Sequence, residues 1–416
     1  MDSPALLLPP RSGAESARTP EGLAAYTARG GYEGLRRWRE RNDPAAWIDE
    51  IEASGLRGRG GAAFPTARKW RLAAAAAADQ KYVVGNGGEH EPGSSKDRFL
   101  VEHHPHAVLE GLLLCGLATG ATKGFVYLIE DMAGPRASIE AALREASAAN
   151  LLPFPVEVAC GPTTYVAGEE TAALNAIEGG DQPAKPRKKP PYPGEAGLFG
   201  KPTTVNNVET LAHVAWIARH SATEFAAIGT AESKGTLLFT LPDTVANPGV
   251  HELPFGATYR ELIFDVGGGL ASGRALRAIL PAMSCAFLLA EHLDVPIAYE
   301  TLKPLGTSPG CGGVRLVDED TDVVTMTLEI AEFFMTEQCG QCPACRMETN
   351  QFVHVLKGVQ AGRGPGYADK LAKLAAFNRG KGFCSLIEMA AAPVLSAVSL
   401  FADDFAAAAG PGAPES

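Results

Sequence analysis

Three cysteines, Cys339, Cys342 and Cys345, stand two residues apart, and a fourth, Cys384, follows alone after a gap of 38 residues. Three closely spaced thiolates can wrap one corner of a small inorganic cluster, and a fourth from a distant segment can close it. All-thiolate ligation with this spacing suits a [4Fe–4S] centre, which moves single electrons. A structural zinc site with four cysteine ligands is the competing reading, because tetrahedral sulfur sites accept either metal. Zinc ribbons usually carry two C-x2-C knuckles, however, and Cys384 has no paired cysteine. Disulfides do not fit a chain without a secretory signal pattern. Of the other cysteines, Cys115 and Cys285 lie in apolar runs and read as core residues. Cys160 and Cys311 border glycine-rich turns and have no visible partner.

A second constellation is Gly55-Leu56-Arg57-Gly58-Arg59-Gly60-Gly61, which continues through Phe64 to Thr66-Ala67-Arg68-Lys69-Trp70. Clustered glycines let a backbone approach a ligand and present its N–H groups, and Arg59 adds a charge complementary to phosphate. The stretch follows a predicted helix, not a strand, and no acidic residue stands about 20 positions on, so it is not the Rossmann fingerprint. Taken alone, it reads equally as a tight structural turn or as a nucleotide cradle. Asn86-Gly87-Gly88-Glu89-His90-Glu91 follows a short apolar strand, the place where α/β sheets bind ligands. Gly168-Glu169-Glu170 opens a predicted helix, where carboxylates also serve as caps and complement the dipole. Val205-Asn206-Asn207 precedes another, and its amides can cap that helix or hold a polyol or phosphate. The group His103-His104-Pro105-His106 lacks further ligands and reads as exposed histidines at a helix start.

The elements that must position these residues fall into three textures. From Pro20 to Glu232, short apolar strands alternate with helices: Tyr82 to Gly85, Gly124 to Ile129 and Val156 to Ala159 read as strands. Ala45 to Ala53, His106 to Ala118, Ala137 to Ala149 and Glu169 to Ile177 read as helices. Such alternation predicts an α/β layer with a parallel sheet. Residues 233–321 begin with a hairpin pattern, then a helix, in a unit resembling a β-grasp. Residues 322–407 are helical by period, with three cysteines opening the second helix and Cys384 preceding the last. The flanks, 1–19 and 408–416, are rich in Pro, Gly, Ala and Ser and are expected to be disordered tails.

Composition narrows the function classes. The formal net charge is −11 over 416 residues, and the one basic run, Lys185 to Lys189, is short, which argues against a nucleic-acid partner. No apolar stretch reaches the roughly 18 to 20 residues of a membrane span. The expectation is a cytoplasmic protein that reaches a membrane only through partner subunits.

Taken in order, Gly58–Trp70, Asn86–Arg98, Tyr165–Thr171, Lys201–Thr210 and the cysteine set resemble the flavin-bearing, NADH-oxidising subunit of respiratory complex I, a module also found in NAD-linked hydrogenases and formate dehydrogenases. The resemblance runs from about Thr19 to Phe401. It implies a Rossmann-like FMN- and NADH-binding domain over 20–232, a β-grasp domain, and a four-helix domain in which Cys339, Cys342, Cys345 and Cys384 hold a [4Fe–4S] cluster. It further implies that Gly58, Arg59, Gly60, Lys69, Asn86, Glu89, Tyr165, Gly168, Glu169, Val205, Asn206, Asn207 and Thr210 line the FMN pocket, with Lys189 reaching the phosphate. NADH would meet Phe64 and Tyr192 as aromatic faces, together with Lys69, Glu91 and Glu170. Gly87-Gly88 stands where the family commonly has Ala-Asp, which removes a carboxylate beside the flavin.

Electron counting gives the implied activity. Nicotinamide releases two electrons as a hydride, a cluster accepts one, and a flavin converts between them. No side chain need act as acid or base. The implied partners are NADH and an electron-transfer protein: a thioredoxin-like [2Fe–2S] protein, a ferredoxin or an iron–sulfur subunit. Reverse flow toward NAD, or a flavin-less relay subunit, are the alternatives.

Overall fold

The computed structural model describes residues 6–8, 19–179, 184–363 and 366–410. Its first sheet is built from β1 (Tyr82–Asn86), β2 (Lys123–Ile129), β3 (Val156–Gly161) and β4 (Thr203–Asn207), all parallel, in the order β3-β2-β1-β4. Val83, Val84 and the run Val126–Ile129 are fully buried, as expected for parallel strands covered on both faces. The chain winds from β1 outward to β3 and then returns to the other side of β1. Strand order therefore reverses between β1 and β4, and the carboxyl ends at that reversal are where open α/β sheets bind ligands. Asn86 and Asn207 are register partners there, next to the pair Gly85 and Asn206. Strand β4 was not expected from the sequence; its polar residues, Thr-Thr-Val-Asn-Asn, carry little strand signal.

Helix Pro105–Thr119 is the central post of this layer. Proline at its first position needs no N–H partner, and Gly120 ends it in a left-handed conformation at φ 77°. It is buried all round and crosses helix Val208–Arg219 so closely that a Cβ on Gly111 would lie 1.8 Å from the Leu211 carbonyl oxygen. That burial corrects the expectation of exposed histidines. His104 and His106 are buried; His106 meets the Tyr32 hydroxyl at 2.9 Å through Nδ1 and Glu145 at 3.1 Å through Nε2. They join the N-terminal helices to the post because the post sits in the core, not at its rim.

The middle of the chain forms the hairpin β5 (Thr236–Leu241) and β6 (Gly249–Pro254), a π-helical turn Glu261–Val266, and a second antiparallel sheet. That sheet comprises β7 (Leu276–Leu280), β8 (Leu288–Leu289) and β9 (Arg315–Asp318) in the order β8-β7-β9. These strands enclose a separate core around Phe239, Tyr259, Leu262 and Ile279. The N-terminal flank expected as a tail lies largely outside the described residues. Within it, Leu6, Leu7 and Leu8 donate their backbone N–H groups to the Glu252 carboxylate at 2.9, 2.9 and 2.8 Å.

The C-terminal region is helical: Val323–Glu337, Pro343–Gln360, Tyr367–Asn378, Leu386–Leu400 and a short final helix Ala402–Ala409. Only residues 408 and 409 of the last helix fall in the flank expected as tail; Phe405 buries this helix against the bundle. Residues 411–416 of that tail lie outside the described residues. Among the described residues, no single helix is long and apolar enough to cross a membrane. The pair Leu386–Leu400 and Ala402–Ala409 passes only when taken together, with a bend of 86° between them.

Candidate active site and cysteine centre

Helix Pro44–Ser54 is capped by Asp43, whose carboxylate accepts from Ala46 N at 3.1 Å, and it ends at Gly55 in a left-handed conformation, φ 68°. The glycine loop thus starts as a helix terminator and closes on itself, with Gly58 N–H donating to the Phe64 carbonyl at 2.9 Å. It lies against the end of β4: a Cβ on Gly60 would be 3.4 Å from Asn207 Cβ. Arg59 N–H donates to Thr210 Oγ1 at 2.9 Å, tying the loop to helix Val208–Arg219.

The Arg59 guanidinium, a charge complementary to phosphate in the sequence, is engaged by backbone carbonyls. It is fully buried, donating to the carbonyls of Thr236, Arg57 and Lys234 at 2.9, 2.8 and 2.6 Å, and it fastens the loop to the start of β5. Buried carbonyls need donors, and the five-donor guanidinium satisfies three of them at once. The cations at the strand ends are instead Lys69 and Lys189. Lys69 Nζ donates to the Val205 carbonyl at 2.9 Å and to Glu170 at 3.2 Å. Lys189 Nζ bridges Glu169 at 2.9 Å and Glu170 at 3.0 Å. Burial alone would raise the Glu170 carboxyl; the two lysines reverse this and hold it below its ordinary value. Burial would likewise depress Lys189, and the two glutamates hold it above its ordinary value.

The remaining expected residues join the same ends. Asn86 Nδ2 donates to the Gly168 carbonyl at 2.8 Å, and Asn206 Nδ2 reaches Cys115 Sγ at 3.3 Å. Glu169 caps helix Glu170–Glu178 by accepting from Thr171 N and Ala172 N. Tyr165 donates its hydroxyl to Glu91 at 3.0 Å, and Glu91 also accepts from Met283 N at 2.9 Å and Cys311 Sγ at 3.2 Å. Burial holds the Glu91 carboxyl above its ordinary value. Phe64 and Tyr192 leave 44 % and 52 % of their surfaces exposed. Glu89 stands one step back from the strand ends, with its carboxylate engaged by Ser94 Oγ, Asp97 N and Arg98 N at 2.5, 3.3 and 3.0 Å.

Tyr127 of β2, fully buried, fills the space beside Gly88: a Cβ on Gly88 would lie 2.8 Å from its ring. Sequence reasoning assigned no role to a buried ionic group beneath Asn207. Lys96 Nζ lies 2.7 Å from Asp97 and 2.8 Å from Glu209, and Asp97 accepts from Asn207 Nδ2 at 2.6 Å. The run Lys96-Asp97-Arg98 was its only visible signal, and nothing in the sequence shows that Glu209 comes to meet it.

The four cysteines come from two loops. Cys339 and Cys342 precede helix Pro343–Gln360, Cys345 lies in its first turn, and Cys384 precedes Leu386–Leu400. They ring one cavity, also lined by Val166, Pro186, Gly340, Phe383 and Ile387. Among the described residues, no three His, Cys, Asp or Glu side chains converge closely enough for a single metal ion. A ring of sulfurs around a void suits a cluster better than one zinc. Burial and the neighbouring thiols push Cys345 up to about 12, and burial together with Glu169 and the other cysteines pushes Cys384 up to about 11. Such thiols become stable thiolates only against bound positive charge, which iron would supply.

At the sheet ends, backbone and amide donors, two lysines and exposed aromatic faces likewise fit a flat, anionic flavin mononucleotide beside a dinucleotide. Residues 51–216 match the family described as the Nuo51 FMN-binding domain, and residues 325–408 match the NADH-ubiquinone oxidoreductase-F iron-sulfur binding region. The NADP-reducing hydrogenase subunit HndC of Solidesulfovibrio fructosivorans is 37 % identical over 399 residues, spanning 93 % of this chain and 81 % of that protein. The NADH-quinone oxidoreductase-F protein of Escherichia coli (strain K12) is 36 % identical over 403 residues, spanning 94 % and 90 %. The crystal structure of an NAD+-reducing [NiFe]-hydrogenase in the H2-reduced state superposes with a TM-score of 0.85 at 33 % identity, over 94 % of this chain and 68 % of the other. The chain belongs to the NADH-quinone oxidoreductase-F family, with FMN-binding and [4Fe–4S]-binding regions that serve NADH oxidation and electron transfer through an iron–sulfur cluster.

Proposed function

We propose that NADH is held over the carboxyl ends of β1 and β4, with Phe64 and Tyr192 against its adenine and the Lys69–Glu170–Lys189–Glu169 group beneath it. Bound there, FMN would supply the conversion between one hydride and two single electrons, and a [4Fe–4S] cluster held by Cys339, Cys342, Cys345 and Cys384 would supply the one-electron acceptor. The residues of this chain bind and orient. Gly58 and Gly60 let the loop approach the flavin, Asn86, Asn206 and Asn207 line its pocket, the lysines balance its phosphate, and the carboxylates receive hydroxyls of the dinucleotide. Electrons then pass to an iron–sulfur partner protein or subunit, as relatives named as parts of hydrogenase and quinone oxidoreductase complexes suggest. The domain limits 20–232, 233–321 and 322–407 belong to the same proposal.

One observation carries this reading. The single turn Tyr165–Gly168 borders both centres: Val166 lines the cysteine cavity, while Gly168 accepts from Asn86 at the strand end. Tyr165 N–H also donates to Glu337 at 2.7 Å, and the Tyr165 ring packs edge-on against Phe333 and Phe334 of the helical region. Phe64→Ala and Tyr192→Ala are each expected to raise the KM for NADH about 2- to 13-fold, the equivalent of about 0.5–1.5 kcal/mol of aromatic contact, with kcat and flavin content unchanged. Steady-state kinetics with ferricyanide checks this. An unchanged KM, or loss of flavin, contradicts the placement.

A further inference from the structure

The cysteine cavity has two unlike walls. Val166 and Pro186 close the side toward the lysines and carboxylates, whereas exposed Gly340 and Phe383 bring the other side to the molecular surface. Phe383 is 39 % exposed, and its N–H donates to Cys342 Sγ at 3.3 Å, so an exposed ring stands one hydrogen bond from a cluster ligand. Six residues earlier, Phe377 is 65 % exposed, the highest value for a large apolar side chain among the described residues. Lys381 Nζ lies 3.4 Å over its ring. Phe377 lies at the end of helix Tyr367–Asn378 and Phe383 stands in the loop that follows, and adjoining exposed aromatic rings mark a contact surface.

The charge of this face is opposite to that of the molecule. Arg346, Arg379 and Lys381 are exposed and form no ion pair among the described residues. From Arg346 to Glu388 the chain carries seven Lys and Arg against three Asp and Glu, although its formal net charge is −11. Of those charges, Lys357 pairs with Glu332 and Lys373 with Asp369, Glu348 is buried, and Glu388 accepts from Gly380 N at 2.7 Å, which leaves Arg346, Arg379 and Lys381 as the exposed cations without an ion pair beside the cysteine loops. A cationic rim around an apolar centre, directly over the cluster ligands, matches a protein that presents carboxylates around its own redox centre.

We infer that this face docks an acidic one-electron carrier protein, with Phe377 and Phe383 as the apolar contacts and Arg346, Arg379 and Lys381 as the steering charges. The inference rests on the electron-input function proposed above. Each NADH oxidised to NAD+ and a proton delivers one electron to each of two carrier molecules.

Binding is measured by titration calorimetry on the full holoprotein, with an acidic cytochrome b5 haem domain as probe and basic cytochrome c as counter-probe. The acidic probe binds at low salt and weakens as salt screens the contact. The double variant Arg379→Glu/Lys381→Glu weakens it by at least about tenfold, and Phe377→Ser weakens it in the same direction without changing charge. NADH–ferricyanide turnover and the cluster's electron paramagnetic resonance signal stay unchanged in both variants. Absence of that turnover in the wild type overturns the electron-input reading itself. With turnover intact, docking is overturned by salt-independent binding, by equal binding of cytochrome c, by binding that survives charge reversal, or by self-association of the chain in place of probe binding.

Discussion

Cys384→Ala is expected to remove the cluster and cut NADH-driven reduction of protein electron carriers to background, while flavin content and NADH–ferricyanide turnover persist. Cys339, Cys342 and Cys345 come from one continuous segment, and Cys384 is the one ligand from the loop before Leu386–Leu400. A cluster left with three neighbouring thiolates has an open iron, and the two loops lose the bond that joins them across the cavity. None of the residues expected at the flavin lines this cavity, so they are not dismantled with it. Iron and acid-labile sulfide analysis, a flavin spectrum and paired assays with a protein carrier and ferricyanide check this. Retention of iron and sulfide at wild-type levels contradicts the ligand assignment.

Gly168→Ala is expected to weaken FMN binding by about 5- to 150-fold. The added methyl would lie 2.4 Å from the Gly88 carbonyl oxygen, a backbone atom with no rotamer of its own to move. Relief requires the Asn86–Gly88 and Tyr165–Gly168 segments to part, which breaks the Asn86 Nδ2 bond to the Gly168 carbonyl. Overpacking of this kind costs about 1–3 kcal/mol, and every 1.4 kcal/mol is a factor of ten in affinity. Recovery of FMN fluorescence on dilution gives the dissociation constant directly. Wild-type affinity in this variant would mean that the two turns do not border the flavin.

Much of this was legible in the residues. The cysteine spacing marked the metal centre and favoured a cluster over zinc, because ligand chemistry depends on sequence separation within one loop. The apolar strands Val83–Val84 and Gly124–Ile129 gave the sheet because buried parallel strands are runs of apolar side chains. What depended on tertiary approach was hidden. Strand β4 is polar in sequence and pairs only because β1 offers it an edge. Arg59 looked like an anion ligand until the carbonyls of Lys234 and Thr236, with that of neighbouring Arg57, claimed it. Glu91 looked like an open acceptor, but the amide of Met283, 192 positions away, already binds it. His106 looked exposed beside Pro105, yet the helix it begins runs through the core.

The most direct measurement is an anaerobic titration of the purified protein with NADH, following flavin absorbance and the paramagnetic signal of the reduced cluster together. Bleaching of the flavin accompanied by growth of the cluster signal is the predicted result. A protein lacking flavin or acid-labile sulfide, or one whose flavin bleaches while the cluster stays oxidised, contradicts the account.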